Sequence, residues 1–335
     1  MNEPFVSLIL VVRNEIDYID KAMKSLLDQD YPNFELITVD GESNDGTYER
    51  LIEYQKTDNR VKVLVNKKRY LSAGWNMAIR EAKGEIVQRI DGHSVVPKDF
   101  VKTSVEYLFK ISDAAAVGGP ITTIGEGFVG KLISFVFSHK FGVGNSRFRT
   151  ESNWEGYVDT VPYAAYRKEV FEKVGLFDES LVRNEDIDLH SRVRKSGGKF
   201  YLTSKIRSFY FSRSTIKGMV RKSLGDGYWT MHVLRKDKCS LSIRHLVPII
   251  FVSTFAASGL LTILNQSFGT IFYFLISLYF VSAIIASIDI AIKNGWRYFI
   301  FLPIIFFLLH FSRGLGSIRA VLSRDFYRKK VEAHG

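Results

Sequence analysis

The chain has 335 residues, 46% of them hydrophobic, a formal net charge of +11 at pH 7 and a single cysteine, Cys239. That length suits one large domain with a smaller appendage, and a lone cysteine excludes an internal disulfide framework or a thiolate metal cluster. The basic balance favours phosphate-rich partners such as anionic lipid, nucleotide or lipid-linked diphosphate. Nucleic acid is a poor fit, because no recognised binding module accompanies the charge.

Glu3, Arg13, Glu15, Asp17 and Asp20 interrupt the start of the chain, so no signal peptide is expected and the first part is expected to stay in the cytoplasm. β-rich runs at 6–12, 34–40, 61–65, 85–90 and 115–118 alternate with helical patterns at about 18–29, 46–56, 71–83 and 97–110. Strand, helix, strand at this spacing predicts right-handed crossovers and a mostly parallel sheet with helices on both faces. Ligands of such sheets bind beyond the carboxyl ends of the strands. Two polar clusters sit there: Asp40, Gly41, Glu42 and Ser43 after the second strand, and Asp91, Gly92 and His93 after the fourth.

Residues 125–139 are apolar apart from Glu126 and Lys131, an amphipathic helix for either a protein core or a membrane surface. Residues 144–153, rich in Gly, Asn, Ser and Arg, read as a loop. Asn184, Glu185, Asp186, Ile187 and Asp188 open a helix running to about 195, where acidic residues also serve as caps. Basic residues from Arg213 to Lys222 recur at helical spacing, which suits a phosphate clamp or a solvated face equally.

Composition shifts after about residue 245. Runs near 246–264 and 268–288 carry no charge through most of their length, and each can span a bilayer as a helix of about 20 residues. Basic residues outside both ends predict a hairpin with cytoplasmic termini. The third apolar segment, near 298–316, would carry Arg313, Arg319, Arg324, Arg328, Lys329 and Lys330 across if it spanned. Pro303, Gly314 and Gly316 are therefore expected to let it bend back or lie shallow.

Asp91 and His93 offer a carboxylate and an imidazole to Mg or Mn, with Gly92 leaving room for a diphosphate beside the backbone. Asp40 can accept a hydrogen bond from a uracil N–H or a ribose hydroxyl. These residues stand in an ordered set: 4–9 leading to Arg13-Asn14-Glu15, then 39–47, Ala73-Gly74-Trp75-Asn76, Gly84-Glu85, Asp91-Gly92-His93, 174–179 and Asn184-Glu185-Asp186. In this set the chain resembles the family 2 glycosyltransferases of GT-A fold across residues 4–235. It is similar to the succinoglycan-type membrane glucosyltransferases, including Arg89 ahead of the Asp91 triplet and the 158–163 segment, where a polar residue would face the acceptor.

The resemblance implies a cytoplasmic GT-A catalytic domain at 1–235 and a membrane domain at 236–335. It implies that Asp40 holds the nucleoside, with Arg13, Glu15, Glu42, Arg89 and Asp91 around a nucleotide-sugar donor, expected to be a UDP-sugar. Asp91 and His93 take the place of the family's Asp-x-Asp metal motif, and Asp186, with Glu185 beside it, is the catalytic base of an inverting transfer. The Gln-x-x-Arg-Trp signature of processive relatives is absent after Asp186, which favours addition of one sugar at a time; the tether beside the bilayer points to a polyprenyl-linked sugar or polyprenyl phosphate as acceptor, with a soluble saccharide the other option. A polyprenyl-phosphate sugar synthase and a catalytically inactive nucleotide-binding scaffold are the alternatives.

Overall fold

In the computed structural model of the chain, residues 3–323 are described, so Arg324, Arg328, Lys329 and Lys330 lie outside the described residues. The strands are β1 Val6–Val12, β2 Phe34–Asp40, β3 Val61–Val65, β4 Ile86–Asp91, β5 Ser94–Val95, β6 Ala114–Gly118, β7 Ile121–Ile124, β8 Glu155–Val158, β9 Ala165–Arg167, β10 Lys199–Thr203 and β11 Ser208–Phe211. Among the described residues eight of them form one sheet in the order β3-β2-β1-β4-β9-β6-β10-β8, and β5-β11-β7 form a smaller one.

The half from β3 to β4 is parallel throughout. Antiparallel pairing enters with β9, which lies between β4 and β6, and with β8 at the far edge. The α/β architecture expected of the GT-A class is thus present, with its parallel half where the sequence placed it.

Every residue of β1 is buried, and the period of two along a strand sends alternate side chains to opposite faces. Leu8, Leu10 and Val12 pack with Ile19, Met23 and Leu26 of the helix Ile16–Leu27 and with Phe100 and Val105 of the helix Phe100–Lys110. Ile9 and Val11 turn to the other face, against Trp75, Ala78 and Ile79 of the helix Leu71–Glu81. Two apolar layers clamp β1, which fixes the strand ends where the polar clusters stand.

The chain divides into two compact units, Met1–Thr123 with Arg147–Phe211, and Ile124–Ser146 with Ser212–Gly335. This differs from the boundary expected at 235. The helix Ile216–Lys236 belongs with the apolar helices because its small residues meet them backbone to backbone. A Cβ on Gly227 would lie 1.9 Å from the Arg313 carbonyl oxygen, and one on Gly316 would lie 2.1 Å from that of Leu224. The helix Gly127–Phe137 joins the same unit, burying Leu132, Ile133, Val136 and Phe137 with Leu302, Ile305, Phe306 and Leu309. Its apolar face meets the contacts that the core setting expected.

Among the described residues three helices are long and apolar enough to cross a membrane: Val247–Leu264, Gln266–Asn294 and Leu302–Leu322. The first two expose Ile250, Ile263, Leu264, Tyr273, Phe274 and Ile285, as helices facing lipid do. The bend expected in the third segment is not there. Leu302–Leu322 runs unbroken through Gly314 and Gly316, and Pro303 sits in the first turn, where its missing N–H breaks no helical bond. The two glycines serve close packing instead: a Cβ on Gly314 would lie 2.2 Å from the Pro248 carbonyl oxygen, the role small residues play between apolar helices.

Candidate active site

The parallel register sets the site. Val12 of β1 is paired with Asp40, and Val11 with Asp91. The two aspartates therefore end the strands on either side of β1, about 10 Å apart by the spacing of neighbouring strands.

Asp40 is 1% exposed. Its Oδ2 accepts the Ser43 N–H at 2.9 Å, while Oδ1 is buried with no hydrogen-bond partner. A buried carboxylate oxygen left unpaired costs free energy until a donor arrives. The loop beyond it is laced back to β1: Asn14 N–H donates to Ser43 Oγ, Asn44 N–H to Asn14 Oδ1, and Glu15 N–H to Thr47 Oγ1. Arg13 is exposed and runs across Gly41, where a side chain's Cβ would lie 3.3 Å from Arg13 Cβ. The Glu42 carboxylate is held by Arg69, whose Nε and Nη2 both approach Oε2 at 2.6 Å.

Glu15 faces His93, with Oε1 3.1 Å from Nδ1. A carboxylate on one ring nitrogen is the partner that orients metal-binding histidines. Gly92 does not leave the space expected of it. A Cβ there would lie 2.4 Å from Val12 Cγ1 and 3.4 Å from Glu15 Cγ, so the glycine admits the end of β1 instead of a diphosphate. Among the described residues no three His, Cys, Asp or Glu side chains gather as a metal cluster. Asp91 lines a cavity with Asp186 and His93 does not; a carboxylate and an imidazole are donors that Mg or Mn accepts, such ions in phosphate chemistry taking few protein ligands.

Asp186 stands in the first turn of the helix Glu185–Lys195, entered through Asn184 at φ 59°. Asp91, Asp186, Arg89, Thr160, Tyr163 and Tyr166 line one cavity of about 110 Å³. Arg89 lies with its guanidinium 4.8 Å from the Trp75 ring centre and 3.8 Å from Glu185 Oε1. Burial works against that charge, but Asp91, Glu185 and Asp186 outweigh it and raise the pKa of Arg89. Arg149 lines the same cavity, so two guanidinium groups stand with Asp91 and Asp186, and Glu185 lies beside Arg89. Glu185 is itself buried, and burial together with the Asp186 charge pushes its carboxyl well above the usual range, with Arg89 opposing.

Arg89, Asp91 and Asp186 are therefore brought together, while Glu185 sits beside Arg89, His93 turns to Glu15, and Asp40 stands on the far side of β1. Sequence reasoning gave no role to His190, four residues beyond Asp186. Its Nδ1 meets Thr160 Oγ1 at 2.7 Å and its Nε2 meets Tyr166 OH at 2.6 Å. Burial pushes the imidazole down to about 3, so it is neutral and links two hydroxyls of the cavity wall. The only local signal was its i+4 spacing from Asp186 on one helix face.

The family model described as Glycosyl transferase family 2 matches residues 7–175. Over 327 residues the chain is 28% identical to the dolichyl N-acetyl-alpha-D-glucosaminyl phosphate 3-beta-D-2,3-diacetamido-2,3-dideoxy-beta-D-glucuronosyltransferase of Methanococcus voltae, covering 95% of this chain and 97% of that one. It is 30% identical over 268 residues to the succinoglycan biosynthesis protein ExoA of Rhizobium meliloti, covering 77% of this chain and 78% of the relative. In fold it is similar to the mannosyltransferase PcManGT from Pyrobaculum calidifontis, solved with GDP-Man and Mn2+, at a TM-score of 0.62 and 15% identity over 97% of this chain and 89% of that one. A family match beginning in β1 and ending past β9, joined to a relative at 30% identity across most of both chains, shows that this chain belongs to glycosyl transferase family 2.

Proposed function

We propose that this glycosyltransferase moves one sugar at a time, with inversion, from a UDP-sugar to a polyprenyl-linked saccharide at the cytoplasmic face of a membrane. The observation that carries the reading is the shared cavity of Asp91 and Asp186, with the unpaired Oδ1 of Asp40 at the strand end across β1. Asp40 takes a nucleoside N–H or hydroxyl, and Asp91 with His93 holds a divalent cation, which supplies charge against a leaving diphosphate. Asp186 accepts the proton of the acceptor hydroxyl as its oxygen attacks the anomeric carbon from the side opposite the leaving group. Glu185 and Arg89 position Asp186 and Asp91, and the cavity, below the ~300 Å³ usual for a small-ligand pocket, takes the transferred sugar alone.

The acceptor class rests on two supports. The Methanococcus relative, alike over nearly its whole length, is named for a dolichyl phosphate-linked acceptor, and three apolar helices would keep the enzyme beside such lipids at high effective concentration. The cytoplasmic orientation follows from the basic residues flanking the apolar hairpin. The test is a panel of nucleotide-sugars incubated with purified protein, Mn and a polyprenyl-linked acceptor. A UDP-sugar should be consumed and the product should carry the inverted anomeric configuration by NMR. Nucleotide binding with no hydrolysis or transfer on any donor would instead support an inactive scaffold.

A further inference from the structure

The second compact unit contains a cavity of about 280 Å³ whose wall is mostly apolar, with Val247, Pro248, Phe251 and Tyr279 among its lining residues. Lys140, Arg244 and Arg313 also line it, and among its lining residues none is acidic. Its parts come from four places in the sequence: the stretch Lys140–Gly144, the start of the helix Val247–Leu264 with Arg244 just before it, and the middles of the two later apolar helices.

The framework around it is built. His310 Nδ1 meets Tyr279 OH at 3.0 Å and its Nε2 meets the Gly142 carbonyl oxygen at 3.3 Å, tying two apolar helices to the 140–144 stretch. Phe251 stacks on Tyr279 with ring centres 4.6 Å apart. Arg244 Nη1 donates to Asn145 Oδ1 at 3.3 Å, and Arg313 Nη2 lies 3.7 Å from Asp226 Oδ2, a carboxylate also bound by Lys222 at 2.7 Å.

The cavity wall itself carries Lys140, Arg244 and Arg313 and no carboxylate, with Asp226 beside Arg313. Basic pockets between apolar helices take phosphate head groups. Guanidinium groups match phosphate oxygens bidentately. A lipid that offers a phosphate and one narrow apolar chain matches both halves of this cavity. Its volume is near the lower limit for small-ligand pockets, roughly 300 Å³, which suits a phosphate with the first units of a single chain and not a glycerol backbone with two acyl chains.

We infer that this cavity binds the phosphate and the adjoining isoprene units of a polyprenyl phosphate-linked acceptor, with Arg244, Lys140 and Arg313 on the phosphate and Phe251 and Tyr279 along the chain. The inference rests on the proposed acceptor class but not on turnover. Its test is equilibrium binding of a radiolabelled polyprenyl monophosphate to the full-length protein in phosphatidylcholine nanodiscs.

Binding should saturate, be displaced by unlabelled polyprenyl phosphate, and resist phosphatidylglycerol at equal charge. Arg244→Gln and Phe251→Trp should each weaken it at least about tenfold, the size expected for a lost charge-assisted contact or a filled cavity. Both variants should keep the wild-type melting midpoint and the wild-type rate of donor hydrolysis without acceptor. Equal displacement by phosphatidylglycerol would show a general anionic-lipid site and overturn the inference, as would unchanged binding in both variants or no saturable binding at all. Absent donor hydrolysis in the wild type, with polyprenyl phosphate binding intact, would count against the transferase reading alone.

Discussion

Glu15 reaches across 78 positions of sequence to place Oε1 3.1 Å from Nδ1 of His93. In the proposed metal site this carboxylate backs the imidazole, so its loss should be felt through metal. Glu15→Gln should raise the Mn concentration needed for half-maximal activity by about 10- to 100-fold, the usual effect of removing a partner behind a metal ligand, with little change in maximal rate at saturating Mn. Metal titration of turnover reads this directly. Equal metal requirements in variant and wild type would remove the assigned link.

Asp186→Asn should lower turnover at least about a hundredfold, as loss of a general base does, and leave UDP affinity nearly intact. Single-turnover kinetics beside a UDP binding isotherm separates the two effects. Comparable turnover in both proteins would dismiss Asp186 as the base.

Asp40→Ala should weaken UDP about 10- to 100-fold, the range for a lost hydrogen bond to a charged group. The metal requirement should not change, because β1 lies between Asp40 and Asp91. Calorimetric titration with UDP at fixed Mn measures it.

His190 gives a pH dependence of stability. Its folded pKa of about 3 lies below the ordinary value of about 6.5, so between those limits the unfolded chain binds the extra proton. Stability from this group is complete above about pH 6.5 and falls as pH drops towards 3. Relative to His190→Gln, the wild type should lose about 2 kcal/mol between pH 7 and 5, at roughly 1.4 kcal/mol per unit below 6.5. Denaturant unfolding of the two proteins at both pH values gives the difference, which also cancels contributions from Glu185.

The parallel half of the sheet was legible because β1 to β4 carry β-branched runs closed by turn residues, although β4 pairs with β1 and not with a strand next to it in sequence. The strands β8 and β9 were not. They hold four and three residues, too short for a periodic signal, and their pairing is decided by partners far away in sequence. The same reason hid part of the site. Asp40, Asp91 and Asp186 announce themselves at strand ends and a helix start, but the His190 contacts to Thr160 and Tyr166 exist only once β9 is in place. Gly92, Gly314 and Gly316 were misread alike: a glycine in sequence suggests open space or a bend, and here each is filled by a neighbouring backbone or side chain.

Gly227→Val should lower the melting midpoint of the full chain in detergent, since its Cβ would collide with the Arg313 backbone. Overpacking of this kind typically costs about 1–3 kcal/mol. An unchanged midpoint would show that the helices Ile216–Lys236 and Leu302–Leu322 can part without penalty.

The interleaving of the two compact units limits how the enzyme can be dissected. The chain passes from one unit to the other at Thr123, returns at Arg147 and leaves again after Phe211. A soluble fragment made by a single cut at 235 would keep 124–146 and the helix Ile216–Lys236 while discarding Leu302–Leu322, baring Leu132, Ile133, Val136 and Met219 to water. Such a fragment should aggregate. Isolating the α/β unit calls for ending near Phe211 and replacing 124–146 with a short polar linker.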